Sequence, residues 1–153
     1  MRTNLFLLAA AVGALALHLV AIGADRVDPA VQAKIDAKLK EIQTWAADPI
    51  LVNAVKAQNA SLPPEYAAMN QEKWKALTVL DPFVRSFTKN PAAEFLKSKK
   101  TEAIGEAFLS DVAGIKVAFL GKTTNWSHKG KPKHDVPMTG KTWQGPLEQE
   151  EST

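Results

Sequence analysis

Four Asp-Pro or Asn-Pro pairs constrain the fold of this chain more than any other feature of its sequence. In each pair a short polar side chain can cap a helix N-terminus, and Pro occupies the first helical position, where its missing N–H costs nothing. The pairs are Asp28-Pro29, Asp48-Pro49, Asp81-Pro82 and Asn90-Pro91. They predict that most of the chain before residue 105 is a series of helices.

Apolar residues recur at helical spacing in two of these helices. The first helix carries an apolar stripe with most charges off it, so it should pack on a sheet or on a partner. A later helix, predicted over residues 65–77, has a Met and aromatic stripe that we interpret as core packing. The two stripes are Val31, Ile35, Leu39, Ile42 and Trp45, and Tyr66, Met69, Trp74 and Leu77. A further helix is predicted over residues 91–103.

Residues 105–120 have the alternation of a β-hairpin rather than of a helix. Ile115, Val117 and Phe119 share one face of the second strand. Phe108 and Val112 are predicted on one face of the first strand, with Ala113-Gly114 as the turn. Because an isolated hairpin is marginal in water, these strands need helices or further strands against them. The sequence therefore predicts the α+β class, with helices packed on an antiparallel sheet.

The N-terminus indicates where the protein functions. Residues 5–23 are apolar apart from His18, Arg2 precedes them, and Ala21 and Gly23 are small residues at the −3 and −1 positions of a cleavage site before Ala24. We interpret residues 1–23 as a signal peptide. The alternative is an uncleaved membrane anchor, because the segment is long enough to cross a hydrocarbon core of roughly 30 Å. Residues 24–153 would then form a single domain in the periplasm, free or tethered to the inner membrane.

Composition excludes several classes of function. The chain has no Cys, so it has no disulfide, thiolate nucleophile or covalent haem attachment. Its formal net charge of +3 is too small to indicate a nucleic-acid partner. The positive charge is concentrated instead in the segment after the hairpin, where an excess of Lys can attract a small anion or simply keep a loop soluble.

Motifs for catalysis, cofactors and metals are weak. Gly121-Lys122-Thr123 resembles the end of a phosphate-binding loop, but Lys116 stands where that pattern requires Gly. His128, His134 and Asp135 have side chains that suit zinc or nickel, yet their spacing matches no established metal motif. No His can be assigned from the sequence to activate Ser110. We therefore expect no enzyme activity, cofactor or metal site. If the protein were instead an enzyme or a metal protein, His128, His134 and Asp135 would be the candidate residues.

Two tryptophans bound the segment after the hairpin. Trp126 and Trp143 flank residues 127–142, and each ends a near-copy of one short phrase, Gly-Lys-Thr-Thr-Asn-Trp and Gly-Lys-Thr-Trp. A loop fixed at both ends by Trp can cover a cavity, with apolar walls from the rings and polar contacts from Lys or His. Alternatively, both rings only attach the loop to the core.

Three phrases together resemble bacterial extracytoplasmic Cache (PDC, PAS-like) sensor domains. They are Ala-Asp-Pro-Ile-Leu-Val-Asn-Ala-Val at residues 47–55, Phe-Leu-Ser-Asp-Val-Ala-Gly at residues 108–114 and Gly-Lys-Thr-Thr-Asn-Trp at residues 121–126. The resemblance implies a long helix beside a PAS-like antiparallel sheet. It also implies non-catalytic binding of a small carboxylate or amino acid between the sheet and its covering loops.

Carried over by position, the resemblance implies that the second hairpin strand forms the floor of the pocket. The implied ligand-binding residues are Lys122, Thr124, Asn125, Trp126, Lys141 and Trp143. Members of the family continue into two further strands, a second transmembrane helix and a signalling module, whereas this chain stops at Thr153. We therefore expect a sheet with an open edge, in a fragment or a shortened gene product.

A second function class stays open beside ligand sensing. The apolar stripe of the first helix would also suit an interaction module that pairs with another copy of the chain or with a membrane receptor.

Overall fold

A computed structural model describes residues 27–146, which form an α+β domain in agreement with the predicted class. The described helices are α1 (Pro29–Ala46), α2 (Pro49–Ala60), α3 (Pro64–Ala67), α4 (Gln71–Ala76), α5 (Pro82–Ser86), α6 (Pro91–Lys99) and α7 (Pro132–Asp135). Strands β1 (Phe108–Ser110) and β2 (Lys116–Phe119) form an antiparallel pair, and a 3-10 turn follows α7 at Pro137–Thr139.

The four predicted helix starts are confirmed. Asp28, Asp48, Asp81 and Asn90 are the N-caps of α1, α2, α5 and α6, and each side chain accepts a hydrogen bond from a backbone N–H of the first turn. These bonds satisfy donors that have no partner within the helix. Local sequence therefore fixes where these helices begin.

Two predicted helices are shorter than expected. The helix predicted over residues 65–77 is in fact two, α3 and α4, because Asn70 is extended and its Oδ1 accepts the Lys73 N–H at 2.9 Å as the cap of a new helix. The helix predicted to reach residue 103 ends at Lys99, since Lys100 takes an extended conformation with ψ of 132°.

The hairpin is confirmed, with one correction. Phe108 lies opposite Phe119, and a β-bulge after Leu109 brings Ser110 opposite Lys116. The predicted face shared by Phe108 and Val112 is wrong, because Val112 belongs to the turn and is 57% exposed. The Asp111 carboxylate holds this turn by accepting the N–H groups of Ala113 and Ile115, both at 2.9 Å.

Strand β2 lies between two apolar clusters. Ala118 belongs to a cluster with Trp45, Leu51, Ala92, Ala93, Leu96 and Ile104. Phe119 belongs to an aromatic cluster with Trp74, Val84, Phe87 and Trp126, which confirms that the stripe of Tyr66, Met69, Trp74 and Leu77 is core. Since successive residues of a strand face opposite sides, β2 joins the two clusters.

Helix α1 packs less closely than the other long helices. Of its apolar stripe only Trp45 is buried, whereas Val31 and Ile42 are 42% and 40% exposed. None of the helices in the described part of the chain is long and apolar enough to cross a membrane. The predicted signal peptide or anchor at residues 1–23 lies outside the described residues.

Candidate functional site

Four of the six predicted ligand-binding residues lie together beside α4. The side chain of Gln71 holds their segment in two places: its Oε1 accepts the Trp126 N–H at 2.9 Å, and its Nε2 donates to the Thr124 carbonyl at 3.0 Å. The Lys122 ammonium lies 4.7 Å from the centre of the Trp74 ring, a cation–π distance. Thr124 is exposed and Asn125 is half-buried.

Trp126 is part of the core. It is 5% exposed, and its ring centre lies 5.2 to 5.8 Å from the rings of Tyr66, Trp74, Phe83 and Phe87. Contacts of this number and geometry make the ring a structural element of the aromatic cluster. Ligand contact by Trp126 stays a prediction.

The other two predicted residues belong to a different part of the molecule. Trp143 lines an apolar groove along α1 with Val31, Ile35 and Leu39, and Lys141 is exposed nearby in sequence. The next residue, Gln144, exchanges two amide hydrogen bonds of 3.0 and 2.9 Å with Gln32 of α1. The two tryptophans therefore lie against different helices and do not enclose a common space.

A cleft of about 510 Å³ lies over β2 between α2, α3 and α6. Val117 of β2 contributes to its lining from the sheet. Hydrocarbon lining comes mainly from the three helices, and the polar lining residues are Gln58, Ser61, Tyr66 and Asn90. Burial raises the pKa of Tyr66, so its hydroxyl stays protonated at neutral pH.

Two polar residues of the cleft are held rigidly by the sheet. Gln58 Nε2 donates to the Lys116 carbonyl at 3.1 Å and to the Asp111 carboxylate at 2.9 Å. Asn90 Nδ2 donates to the Val117 carbonyl at 2.8 Å. These side chains cover the outer edge of β2 and present a fixed polar wall to the cleft, a condition for selective binding.

Sequence reasoning missed this cleft. Asn90 was assigned only a capping role and Tyr66 only a core role, and Gln58 stood out in no pattern. The one sequence signal near the site is the break at Ser61-Leu62-Pro63-Pro64, which ends α2 and opens space beside it.

A buried polar cluster connects the hairpin to residues 127–135. The ammonium of Lys116, which is 0% exposed, donates to Nδ1 of the buried His128, and lies 4.7 Å from the centre of the Phe108 ring. Burial and the charge of Lys133 lower the pKa of Lys116 to about 8, against an opposing effect of Asp111. Burial, and then the Lys116 charge, lower the pKa of His128 to about 4.

The same region brings Ser110 close to an imidazole, which the sequence had not indicated. Ser110 Oγ lies 3.5 Å from Nδ1 of His134, itself buried in α7. Within residues 27–146 no carboxylate hydrogen-bonds to His134, so the pair lacks the third group that orients a catalytic base. The described residues also contain no group of three metal-ligating side chains.

Comparison of the chain with protein-family models, with curated proteins and with solved structures finds no match.

Proposed function

We propose that this chain is an extracytoplasmic, non-catalytic domain of the Cache type that binds a small molecule in the cleft over β2. The cleft carries the proposal, because a volume of about 510 Å³ suits a small metabolite and its lining combines hydrocarbon with a few fixed polar groups. The predicted N-terminal signal supports a place outside the cytoplasm.

The lining also indicates which part of a ligand would enter. No lining residue of the cleft is charged, and the Asp111 carboxylate lies directly behind Gln58. A buried anion would therefore find no cationic partner there. We infer that an amino acid or short carboxylate binds with its hydrocarbon part in the cleft and its charged group at the open mouth.

The experiment is a thermal-shift screen with amino acids, short-chain carboxylates and the uncharged amides of the same carboxylates. A ligand that binds the native state raises the apparent melting temperature in a saturable way. We expect shifts that depend on the hydrocarbon part and are similar for a carboxylate and its amide. A domain that unfolds cooperatively and responds to none of these compounds would contradict the proposal.

A pair of variants on α2 locates the binding site. Ala57 lines the cleft, whereas Ala60, on the same helix, does not. Ala57→Phe should fill the cleft and abolish the thermal shift, and Ala60→Phe should leave the shift intact. Equal effects of the two variants would place binding elsewhere, with residues 122–126 as the next site to test.

The exposed face of α1 favours a second function, self-association through that helix. An apolar groove of about 510 Å³ runs along Val31, Ile35 and Leu39 with Trp143 on its other side. Two copies that pair through this face would bury the stripe. Light scattering over a range of concentrations tests this, and Leu39→Glu should shift any dimer toward monomer. A wild-type protein that stays monomeric at high concentration would exclude it.

A further inference from the structure

We propose that the contact between Lys116 and His128 is a pH switch, which holds residues 127–135 on the hairpin at neutral pH and releases them in mild acid. Neither Lys116 nor His128 lines the cleft over β2, and the test of the switch does not depend on ligand binding.

Residues 127–135 are attached to the hairpin at one end by a small set of hydrogen bonds. Ser127 forms an isolated antiparallel bridge with Ile115, and its hydroxyl donates to the Ala113 carbonyl at 2.7 Å. The His128 N–H donates to the Gly114 carbonyl at 3.0 Å. The backbones approach so closely here that a Cβ on Gly114, whose φ is +72°, would collide with the Lys129 nitrogen. The hydrogen bonds therefore form only when residues 127–129 lie directly against the hairpin turn at Gly114.

The His128 side chain stabilises this attachment only when it is neutral. Its ring stacks on Phe108, with centres 4.7 Å apart and planes at 15°. Its Nδ1 accepts from the Lys116 ammonium, which requires a free lone pair on that nitrogen. Protonation replaces the lone pair with a charged N–H that faces the ammonium, so an attractive contact becomes a repulsive one between two buried cations.

The surrounding charges do not compensate for that repulsion. Lys131, Lys133 and His134 add positive charge on the side of α7. The Asp111 carboxylate acts on Lys116, but it already accepts from two backbone N–H groups of the turn and from Gln58. Asp135 of α7 accepts the Gly130 N–H at 3.0 Å. Among residues 27–146 neither carboxylate hydrogen-bonds to His128.

The sign and size of the effect follow from the two states of His128. Its pKa is about 4 when the segment is attached, and its ordinary value of 6.5 applies when the ring is released into water. Attachment is thus fully favoured above pH 6.5 and weakens as the pH falls toward 4. For these two values the equilibrium constant for attachment falls roughly 20-fold between pH 7 and pH 5.

Amide hydrogen exchange of the intact chain, followed by NMR and corrected for intrinsic rates, measures this equilibrium. The His128 amide reports on the attachment, and the Leu120 amide, bonded to the Ala107 carbonyl at 2.9 Å, reports on the hairpin itself. We expect the protection factor of His128 to fall roughly 20-fold from pH 7 to pH 5, while that of Leu120 changes little.

Two variants assign the effect to one imidazole. His128→Gln should show the same protection at position 128 at both pH values, whereas His134→Gln should keep the wild-type fall. No fall in the wild type, or a full fall in His128→Gln, would overturn the proposal. If His128→Gln also loses protection at Leu120, the variant has disturbed the hairpin itself and two other results decide. Loss of the pH effect in His134→Gln would overturn the proposal, and so would titration of the wild-type His128 ring at its ordinary pKa.

Discussion

At the scale of single residues, the two tryptophans after the hairpin have opposite surroundings, and this difference can be measured. Trp126 is 5% exposed in the aromatic cluster, whereas Trp143 is 38% exposed at the α1 groove. Trp126→Ala leaves a cavity that neighbouring rings cannot fill, so we expect a loss of about 3–5 kcal/mol in the free energy of unfolding. Trp143→Ala should cost about 1 kcal/mol or less.

Chemical denaturation of both variants checks this prediction, and the thermal-shift screen separates folding from binding. If Trp126→Ala binds ligand normally once it is folded, the ring is structural. If it loses ligand binding while its stability is close to that of the wild type, the ring contacts the ligand, as the resemblance implied.

The sequence could show that these rings matter but not which one is buried. Their two phrases are nearly identical, and the difference comes from distant partners: Gln71 and the aromatic cluster for Trp126, α1 for Trp143. The cleft escaped prediction for the same reason. Gln58 and Val117 are far apart in the chain, and only tertiary packing makes them neighbours.

At the scale of elements, local chemistry made the helix starts predictable. A cap and a Pro act within one turn, and all four pairs begin a helix. The start of α4 was not predicted, because its cap Asn70 has the same kind of short side chain as the other caps but no Pro after it. The hairpin was predicted from its alternation, whereas the bulge that brings Ser110 opposite Lys116 leaves no mark in that pattern.

Asn90 joins two elements, and its two roles can be separated by mutation. Its Oδ1 caps α6 and its Nδ2 donates to the Val117 carbonyl of β2. Ser can cap the helix but is too short to reach the strand. Asn90→Ser should therefore lower the free energy of unfolding by about 1–2 kcal/mol, because the Val117 carbonyl is left without its partner. Asn90→Ala should cost about 1 kcal/mol more, because the cap is also lost.

Asp48 is the matched control, since its side chain caps α2 and, within residues 27–146, forms no hydrogen bond to the sheet. There, Ser should be nearly neutral and Ala should cost about 1 kcal/mol, both measured by urea denaturation. If Asn90→Ser is as neutral as Asp48→Ser, the bond to β2 contributes nothing to stability.

At the scale of the whole molecule, β2 makes the two clusters dependent on one another. Ala118 lies in one cluster and Phe119 in the other, so neither cluster can form without the same short strand. Helices α2 and α6 pack on that strand as well, and the side chains of Gln58 and Asn90 bond to its carbonyls. The clusters should therefore unfold as a single unit, although sequence patterns assign them to separate helices.

Truncation in either cluster tests this dependence. Leu96→Ala removes side-chain atoms from the cluster around Trp45, and Phe87→Ala from the one around Trp74. Each variant should lose roughly 2–5 kcal/mol in the free energy of unfolding. In each variant the urea midpoint should be the same by near-UV and by far-UV circular dichroism, and the m-value should be unchanged. Separate midpoints for the two probes, or a smaller m-value in one variant, would mean that one cluster survives without the other. In that case β2 would be attached to the surviving cluster alone, and the cleft over β2 would depend on that half of the molecule.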